Sequence, residues 1–178
     1  MSIPLMADRR HDVCLKQQDI NKMPKFVIWV PTMTEFIDGF FEVAPVSFSD
    51  VVYDLGSGDG RLLFTALEKG AGKCVGIDID SKKVTEAREM ADSKGLDDRV
   101  TFIEGDFMEQ DLSEATVILC YLFPEALIAL RPKFESELKP GTRIVSEAFS
   151  IPKWKEAMTK EVNHKHFNLY VMPPEKED

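Results

Sequence analysis

The segment Asp-Leu-Gly-Ser-Gly-Asp-Gly at residues 54–60 decides the fold. It overlaps the end of the β-branched run VVYDL (51–55), which is typical of a buried strand, and precedes RLLFTALEKG (61–70), which is typical of a helix closed by glycine. Glycines at such a junction let the backbone approach a ligand closely and adopt positive φ. The following helix directs free N–H groups at the same place. The segment therefore predicts a ligand cleft at the carboxyl end of a sheet strand.

The alternation of strands and helices continues after this segment. Further strands are predicted at 73–80, 99–106, 115–123 and 142–149. Ser81 is the expected N-cap of the next helix, and a later helix begins at Pro124, with Pro132 expected to interrupt or kink it. Alternation of this kind implies parallel strands joined by right-handed crossovers, with helices on both faces of the sheet.

The two ends of the chain differ from this pattern. Residues 156–163 and 165–172 predict a closing antiparallel hairpin, and Phe36, Ile37, Phe40 and Phe41 lie at helical spacing upstream of the first strand. We therefore expect an α/β fold with a Rossmann-like, doubly wound, seven-stranded sheet, mostly parallel with a terminal antiparallel strand. The expected organisation is an N-terminal extension at 1–30, partly helical or disordered, one domain at 31–172, and a frayed tail at 173–178.

Three classes of ligand use glycine loops of this type. A phosphate-binding P-loop ends in Gly-Lys-Ser/Thr, which is absent here. A dinucleotide fingerprint, G-x-G-x-x-G, requires a third glycine at position 61, where this chain has Arg61. The sequence instead reads G-x-G-x-G, with Asp54 two residues before the first glycine. A carboxylate at that position suits a cationic group, such as an α-amino group, better than a pyrophosphate.

Acidic residues also mark the ends of the next two predicted strands. Asp78 can accept hydrogen bonds from both hydroxyls of a ribose, although Asp80 beside it could take the same role. Asp106 can accept from an adenine amino group, while Phe107 or Ile79 covers the face of the ring. Because these strand ends meet at one edge of the sheet, the residues predict a cleft of nucleoside size.

The motifs DLGSGDG, VGIDID and GDF, in this order and spacing, resemble the class I S-adenosylmethionine-dependent methyltransferases. The resemblance extends from residue 30 to 172 and includes the closing hairpin. It implies S-adenosyl-L-methionine as cofactor and no metal. The cofactor-binding residues that it implies, together with the residue chemistry above, are Asp54, Gly56, Ser57, Gly58, Gly60, Asp78, Ile79, Asp106 and Phe107.

A narrower resemblance rests on VPT, DVVYDLGSGDGR, LSEATVILCYLFPE, LRPKFESELKPGTRIVS and IPKW. These segments are similar to small prokaryotic relatives of the mitochondrial lysine methyltransferase that acts on an ATP synthase subunit, the one that forms the c-ring. The resemblance implies N-methylation of a protein lysine, with a small-molecule methyltransferase or a non-catalytic S-adenosylmethionine-binding partner subunit as alternatives.

On this interpretation, Tyr121 is the candidate catalytic residue, because family members place substrate-facing residues there; a core tyrosine is the competing interpretation. Glu35 or Glu125 could instead orient the acceptor amine or take its proton. The segment Cys-Tyr-Leu-Phe-Pro at 120–124 lacks the Asn/Asp-Pro-Pro-Tyr motif of enzymes that methylate adenine or glutamine amides. It also lacks the acid that polyamine synthases of similar fold have there.

Composition limits the partners. The chain has 178 residues and a formal net charge of −9, which disfavours a phosphate backbone as partner, so no nucleic acid is expected. Three cysteines without short spacing indicate reduced thiols and a cytoplasmic protein, and no apolar run is long enough for a membrane span. His164 and His166 alternate on a predicted strand, which we interpret as a surface pair. The sequence does not determine the oligomeric state.

Overall fold

The computed structural model describes residues 34–176, with side chains described from Phe36 onward. The strands of its single sheet are β1 (Val51–Leu55), β2 (Lys73–Asp78), β3 (Val100–Glu104), β4 (Val117–Cys120), β5 (Arg143–Glu147), β6 (Met158–Val162) and β7 (Lys165–Val171). The α-helices are α1 (Thr34–Val43), α2 (Arg61–Glu68), α3 (Ser81–Ser93) and α4 (Pro124–Glu137). None of these helices is both long and apolar enough to cross a bilayer. The predicted extension at 1–30 lies outside the described residues.

The strand order is β3-β2-β1-β4-β5-β7-β6. Strands β1 to β5 are parallel, whereas β7 runs antiparallel to both β5 and β6. This confirms the predicted α/β fold and its mostly parallel sheet. The order of strands reverses between β1 and β4, so that the crossovers diverge there and leave a crevice at the carboxyl ends of the strands.

Both faces of the sheet are covered, because successive side chains of each strand point to opposite sides. On one face, α1, α2 and α3 pack over a core that includes Phe40, Leu63 and Phe167. On the other, α4 packs over a core with Phe134 and Trp154. We call these the α1 face and the α4 face.

The amino ends of the central strands are joined by Asp50, which directly precedes β1. Its Oδ1 accepts hydrogen bonds from Arg143 Nη2 (2.7 Å) and Thr116 Oγ1 (2.8 Å), and its Oδ2 accepts one from Ser47 N (2.7 Å). Burial alone would raise the pKa of Asp50, but the hydrogen bonds from Thr116 and Ser47 and the charge of Arg143 lower it. The network links β1, β4 and β5 at the edge opposite the glycine segment.

Helix α4 runs without interruption through Pro132, so the expected interruption is wrong. Proline removes one helical hydrogen bond and costs about 3 kcal/mol in a helix interior. Leu127, Leu130 and Phe134 are fully buried on both sides of it. We infer that this packing against the sheet outweighs the local cost.

The N-cap of α3 is Asp80 rather than the expected Ser81. The Asp80 carboxylate accepts from the amides of Lys82 (3.0 Å) and Lys83 (3.3 Å). Ser81 already has helical conformation as the first residue of α3. Both residue types are good caps, and the extended backbone at Asp80 (φ −81°, ψ 100°) decides between them.

Strands β6 and β7 form the predicted hairpin, with Asn163 and His164 in the turn at φ 51° and 62°. Positive φ at both positions is the conformation that a tight two-residue hairpin requires. His164 therefore lies in the turn and not, as expected, on a strand with His166. Both imidazoles lie within 4 Å of the Glu161 carboxylate, at 3.6 and 3.9 Å. Among the described residues, no group of three or more His, Cys, Asp or Glu side chains could hold a metal ion.

The chain after β7 returns to the α4 face. The Lys155 amide donates to the Glu175 carbonyl (2.8 Å), and Trp154 pairs with Lys176 in an isolated antiparallel bridge. The part of the predicted frayed tail that the structure describes is thus hydrogen-bonded, while residues 177 and 178 lie outside it. The domain boundaries remain a prediction.

Two cysteines lie in the sheet. Cys74 in β2 and Cys120 in β4 are fully buried free thiols. Burial raises the pKa of Cys74 to about 12, and it raises the pKa of Cys120 further still.

Candidate functional site

The predicted site residues of β1 and β2 lie on the α1 face at the carboxyl edge of the sheet. Leu55 and Ile77 belong to the core of the α4 face. Their neighbours Asp54 and Asp78 must therefore point to the α1 face, because side chains alternate along a strand. Strands β1 and β2 are adjacent, with Leu55 opposite Ile77 in the register. The two carboxylates consequently occupy neighbouring strand ends.

The glycine loop between β1 and α2 has three residues with positive φ: Gly56 (85°), Gly58 (53°) and Gly60 (80°). Its first turn is anchored on β2, since the amides of Gly56 and Ser57 donate to the Ile77 carbonyl at 2.8 and 3.1 Å. A Cβ at Gly60 would lie 2.5 Å from Cζ of Phe102, so this position requires glycine for space as well as for conformation. Gly60 is also the N-cap of α2, and no side chain caps that helix.

Asp78 connects β2 to this loop. Its Oδ2 accepts from the Gly58 amide at 2.7 Å, and its Oδ1 accepts from the Asp80 amide at 2.9 Å. The residue is only 8% exposed. Each carboxylate oxygen retains a second lone pair. Asp78 therefore fixes the loop and can still accept hydrogen bonds from a ligand.

Asp54 is a buried carboxylate, 2% exposed. Burial and the nearby charges of Asp78 and Asp59 raise its pKa to about 8. Within the described part of the chain, no hydrogen bond or ion pair reaches its side chain. Ser57 Oγ is also buried without a hydrogen-bond partner among these residues. Unsatisfied buried groups are costly, so Asp54 and Ser57 together favour a ligand with a cationic, hydrogen-bonding group.

The loop after β3 carries the remaining predicted cofactor-binding residues. Asp106 accepts from the Met108 amide (2.8 Å) and caps the short 3-10 helix Phe107–Glu109, which leaves its second oxygen for another donor. The amide of Gly105 donates to the Asp78 carbonyl (2.9 Å), so this loop lies directly beside the end of β2. Ile79 is 45% exposed, whereas Phe107 is half-buried against the core of the α4 face.

Tyr121 follows β4 and packs against the core of the α1 face. It is half-buried, and its hydroxyl makes no hydrogen bond to any described residue. Of the two alternative carboxylates, Glu125 is exposed in the first turn of α4, and the side chain of Glu35 lies outside the described set. Tyr121 directly follows Cys120, the last residue of β4, at the carboxyl edge of the sheet.

Glu147, the last residue of β5, is a candidate site residue that the sequence motifs did not predict. It is 2% exposed, and both carboxylate oxygens are buried without a hydrogen bond in the described chain. Cys120 pairs with Ser146, so Tyr121 and Glu147, the next residue of each segment, lie at the same level of the sheet. Lys165 at the start of β7 places Nζ 3.2 Å from Glu147 Oε1. The available signal was the single acidic residue of the predicted strand TRIVSEAF (142–149).

Comparison with known proteins gives one matching family model, the ANTKMT methyltransferase domain, over residues 54–158. A protein-lysine N-methyltransferase of Saccharolobus islandicus is 39% identical over 82% of this chain and 92% of that protein. The mouse adenine nucleotide translocase lysine N-methyltransferase is 32% identical over 57% of this chain. The chain covers 44% of the length of that mouse protein. A human lysine N-methyltransferase that acts on an ATP synthase subunit is 27% identical over 71% of this chain and 53% of the human protein.

Among solved structures, a crystal structure from Salinibacter ruber is described as an RNA methyltransferase in complex with S-adenosyl-L-homocysteine. It is 39% identical, with a TM-score of 0.79 over 84% of this chain and 97% of that one. Its bound product is the demethylated form of the cofactor implied by the glycine loop and the acidic strand ends.

Proposed function

The chain belongs to the ANTKMT methyltransferase domain family and is an S-adenosylmethionine-dependent methyltransferase, and from this premise we propose that it methylates the side-chain amine of lysine residues in a protein. The family predicted from the sequence motifs is thereby confirmed. The observation that most supports a lysine acceptor is the 39% identity to a protein-lysine N-methyltransferase over nearly the whole of that relative.

We propose that the cofactor binds at the carboxyl edge of β1, β2 and β3. The amino-acid end of the cofactor carries an ammonium group, and Asp54 is a buried carboxylate to which the described residues offer no partner. Ser57 Oγ, buried without a hydrogen bond from the same residues, can bind the same end. The residues that would hold the cofactor are Asp54, Gly56, Ser57, Gly58, Gly60, Asp78, Ile79, Asp106 and Phe107.

The adenosine end fits the neighbouring strand ends. The free lone pairs of Asp78 can accept from ribose hydroxyls. The second oxygen of Asp106 can accept from the adenine amino group. The exposed side chain of Ile79 offers an apolar surface to the ring, and the half-buried Phe107, next to Asp106 in the chain, is a second apolar candidate for that contact.

When bound, S-adenosylmethionine supplies an electrophilic methyl group on a positively charged sulfur and leaves as the neutral thioether. The protein's task is to align the acceptor and exclude water, because the leaving group is already activated. A lysine side chain arrives as its ammonium ion and must first release one proton to solvent water, so that the lone pair of the neutral amine can form the new N–C bond while the S–C bond breaks. We propose that the Tyr121 hydroxyl, free of intramolecular hydrogen bonds in the described chain, orients that amine.

The charge of the chain favours a basic protein over RNA as substrate. It has 31 acidic and 22 basic residues, a net charge of −9. Such a surface attracts lysine-rich segments and repels a phosphate backbone. RNA is the second candidate, since the relative from Salinibacter ruber described as an RNA methyltransferase is as similar as the lysine methyltransferase.

The test is methyl transfer from tritiated S-adenosylmethionine to a lysine-rich protein and, separately, to total RNA. We expect label in the protein, recovered as methyllysine after hydrolysis, and none after the lysines have been blocked by acetylation. Label in RNA alone would replace the lysine acceptor with a nucleotide. Cofactor binding without transfer to proteins, RNA or small molecules would favour the partner-subunit alternative.

We also propose that the protein works in the cytoplasm. The support is that both described cysteines are free and buried, as expected in a reducing compartment. Fractionation of cells of the source organism, with detection by a specific antibody, tests this; recovery outside the cytoplasmic fraction would contradict it.

A further inference from the structure

Glu147 is a charged residue in a position that the fold would fill at lower cost with an apolar side chain. It ends β5, two residues after Val145, which is fully buried in the core of the α1 face. Both of its oxygens are buried, and no hydrogen bond from the described chain reaches either of them. A buried carboxylate without hydrogen bonds is destabilising, and one ion pair rarely offsets the desolvation. Its presence therefore points to a role in binding.

The group that faces Glu147 is the ammonium of Lys165. Nζ lies 3.2 Å from Glu147 Oε1 and 5.2 Å from the centre of the Phe36 ring. A carboxylate and an aromatic face together are the groups that bind an alkylammonium ion. Glu147 and Phe36 thus form an ammonium subsite, and the occupant in this structure is a lysine of the chain itself.

Lys165 is free to leave this subsite, whereas Glu147 is fixed. The Lys165 side chain is 36% exposed and ends a flexible four-carbon stem, so its ammonium can move into solvent. Glu147 is held by the turn that follows it. Ala148 has φ 65°, unusual for a residue other than glycine, and its amide donates to the His166 carbonyl at 2.8 Å.

The subsite lies where an acceptor amine has to arrive. Glu147 and Tyr121 are at the same level of adjacent strands and point to the same face. The next two strands of that edge are β1, with Asp54 as its penultimate residue, and β2, which ends at Asp78. An amine bound at Glu147 would therefore lie beside Tyr121, on the side of the proposed cofactor site nearest β4 and β5.

We propose that Glu147 and Phe36 bind the ammonium group of the acceptor lysine, and that Lys165 occupies their subsite until the acceptor displaces it. The proposal rests on the proposed lysine acceptor and identifies Glu147 as a specificity-determining residue. An acceptor without a positive charge gains nothing from this subsite.

The test is a calorimetric titration of the protein, saturated with S-adenosylhomocysteine, with a synthetic glycine–serine peptide that carries a single lysine. The matched control peptide has norleucine in place of that lysine. We expect Glu147→Gln to bind the lysine peptide about tenfold or more weakly, as for loss of a charged hydrogen-bond partner. Lys165→Met should bind it about two- to fivefold more tightly, the size of a partly exposed ion pair. The norleucine peptide should bind all variants alike.

Two further variants separate binding from folding. The double variant Glu147→Gln, Lys165→Met should bind as weakly as Glu147→Gln alone. Lys160→Met removes the exposed ion pair with Glu42 (2.7 Å) from the adjacent strand β6 and should bind like the wild type. If the Glu147–Lys165 ion pair served folding only, the affinities for the lysine peptide would follow the opposite order. Lys165→Met would bind the peptide more weakly than the wild type, and the double variant would bind it as well as the wild type.

Unchanged or weaker binding by Lys165→Met, or unchanged binding by Glu147→Gln, would overturn the proposal. Failure of the proposed function would be seen in a different experiment, because the wild-type protein would then methylate no lysine. The subsite proposal would be wrong in that case too. If the protein methylated lysine but all variants bound the lysine peptide with equal affinity, the subsite proposal would be wrong and the proposed function would stand.

Discussion

The carboxylate of Asp78 accepts a 2.7 Å hydrogen bond from the amide of Gly58, and so holds the tip of the glycine loop against the end of β2. The same carboxylate is the proposed ligand of the cofactor ribose. Binding and loop geometry therefore depend on one side chain, whose other oxygen is fixed by the Asp80 amide.

Replacement of Asp78 by alanine should weaken S-adenosylhomocysteine binding by about 1.5–3 kcal/mol, because a charged acceptor is lost. Calorimetry measures the change. Asp80→Ala is the matched control, since Asp80 caps α3 with an exposed carboxylate. That variant should lose about 0.5–2 kcal/mol of stability and retain its affinity. If Asp78→Ala kept its affinity and Asp80→Ala lost affinity, Asp80 would be the residue that binds the ribose.

Valine at Gly58 should abolish cofactor binding with a limited loss of stability. A β-branched residue is strained at φ 53°, at a cost of about 1–3 kcal/mol, and relief of that strain would displace the loop backbone whose Gly58 amide is hydrogen-bonded to Asp78. Gly95→Val imposes the same strain at φ 63°, where an added Cβ meets nothing within 4 Å. Both variants should show lowered melting temperatures, but only Gly58→Val should fail to bind S-adenosylhomocysteine. Unaltered affinity in Gly58→Val would contradict the assignment of the loop.

The raised pKa of Asp54 predicts a specific dependence of stability on pH in the absence of cofactor. Its ordinary value is 3.8, and the folded value is about 8. Between these values the folded protein holds a proton that the unfolded chain has released. The free energy of unfolding should therefore fall as pH rises from 4 to 8, by up to about 1.4 kcal/mol per pH unit. Urea titrations should show this slope in the wild type and its loss in Asp54→Asn.

Cofactor binding should release the proton that the Asp54 carboxyl holds in the cofactor-free protein. An ammonium group beside Asp54 favours the ionised carboxylate, so binding of S-adenosylhomocysteine at pH 6 should release about one proton. Affinity should then rise with pH until about 8. Calorimetry in two buffers of different ionisation enthalpy measures the release, and Asp54→Asn should bind without it. Proton uptake by the wild type would place the cofactor's amino end elsewhere.

Removal of the Tyr121 hydroxyl tests its proposed role. Tyr121→Phe retains the ring that packs on the core of the α1 face. We expect a loss in kcat of about tenfold or more, with S-adenosylhomocysteine affinity and melting temperature unchanged. Activity equal to that of the wild type would leave Tyr121 with a packing role only.

The sequence predicted the sheet, the glycine loop and the acidic strand ends because these depend on local pattern. Glycines 56, 58 and 60 do have positive φ, Asp78 does end β2, and Asp54 is the penultimate residue of the adjacent strand β1. The choice of Asp80 over Ser81 as cap could not be predicted, since both side chains can cap and only the backbone conformation differs.

Residues that depend on long-range pairing were missed. The significance of Glu147 appears only when β5 pairs with β4 on one side and with β7 on the other, which brings Tyr121 and Lys165 to it. The continuity of α4 through Pro132 likewise depends on burial against the sheet, and this burial cannot be predicted from the helix propensities of the residues in α4.

The burial of Cys74 and Cys120 has a practical consequence for labelling experiments. Maleimides and similar reagents attack the thiolate, and both of these side chains are kept protonated and covered. Rapid modification of the native protein would then have to occur at Cys14, which precedes the described residues. A fluorophore attached there would report on the N-terminal segment while methyl donor or acceptor is added, without any cysteine having to be removed first.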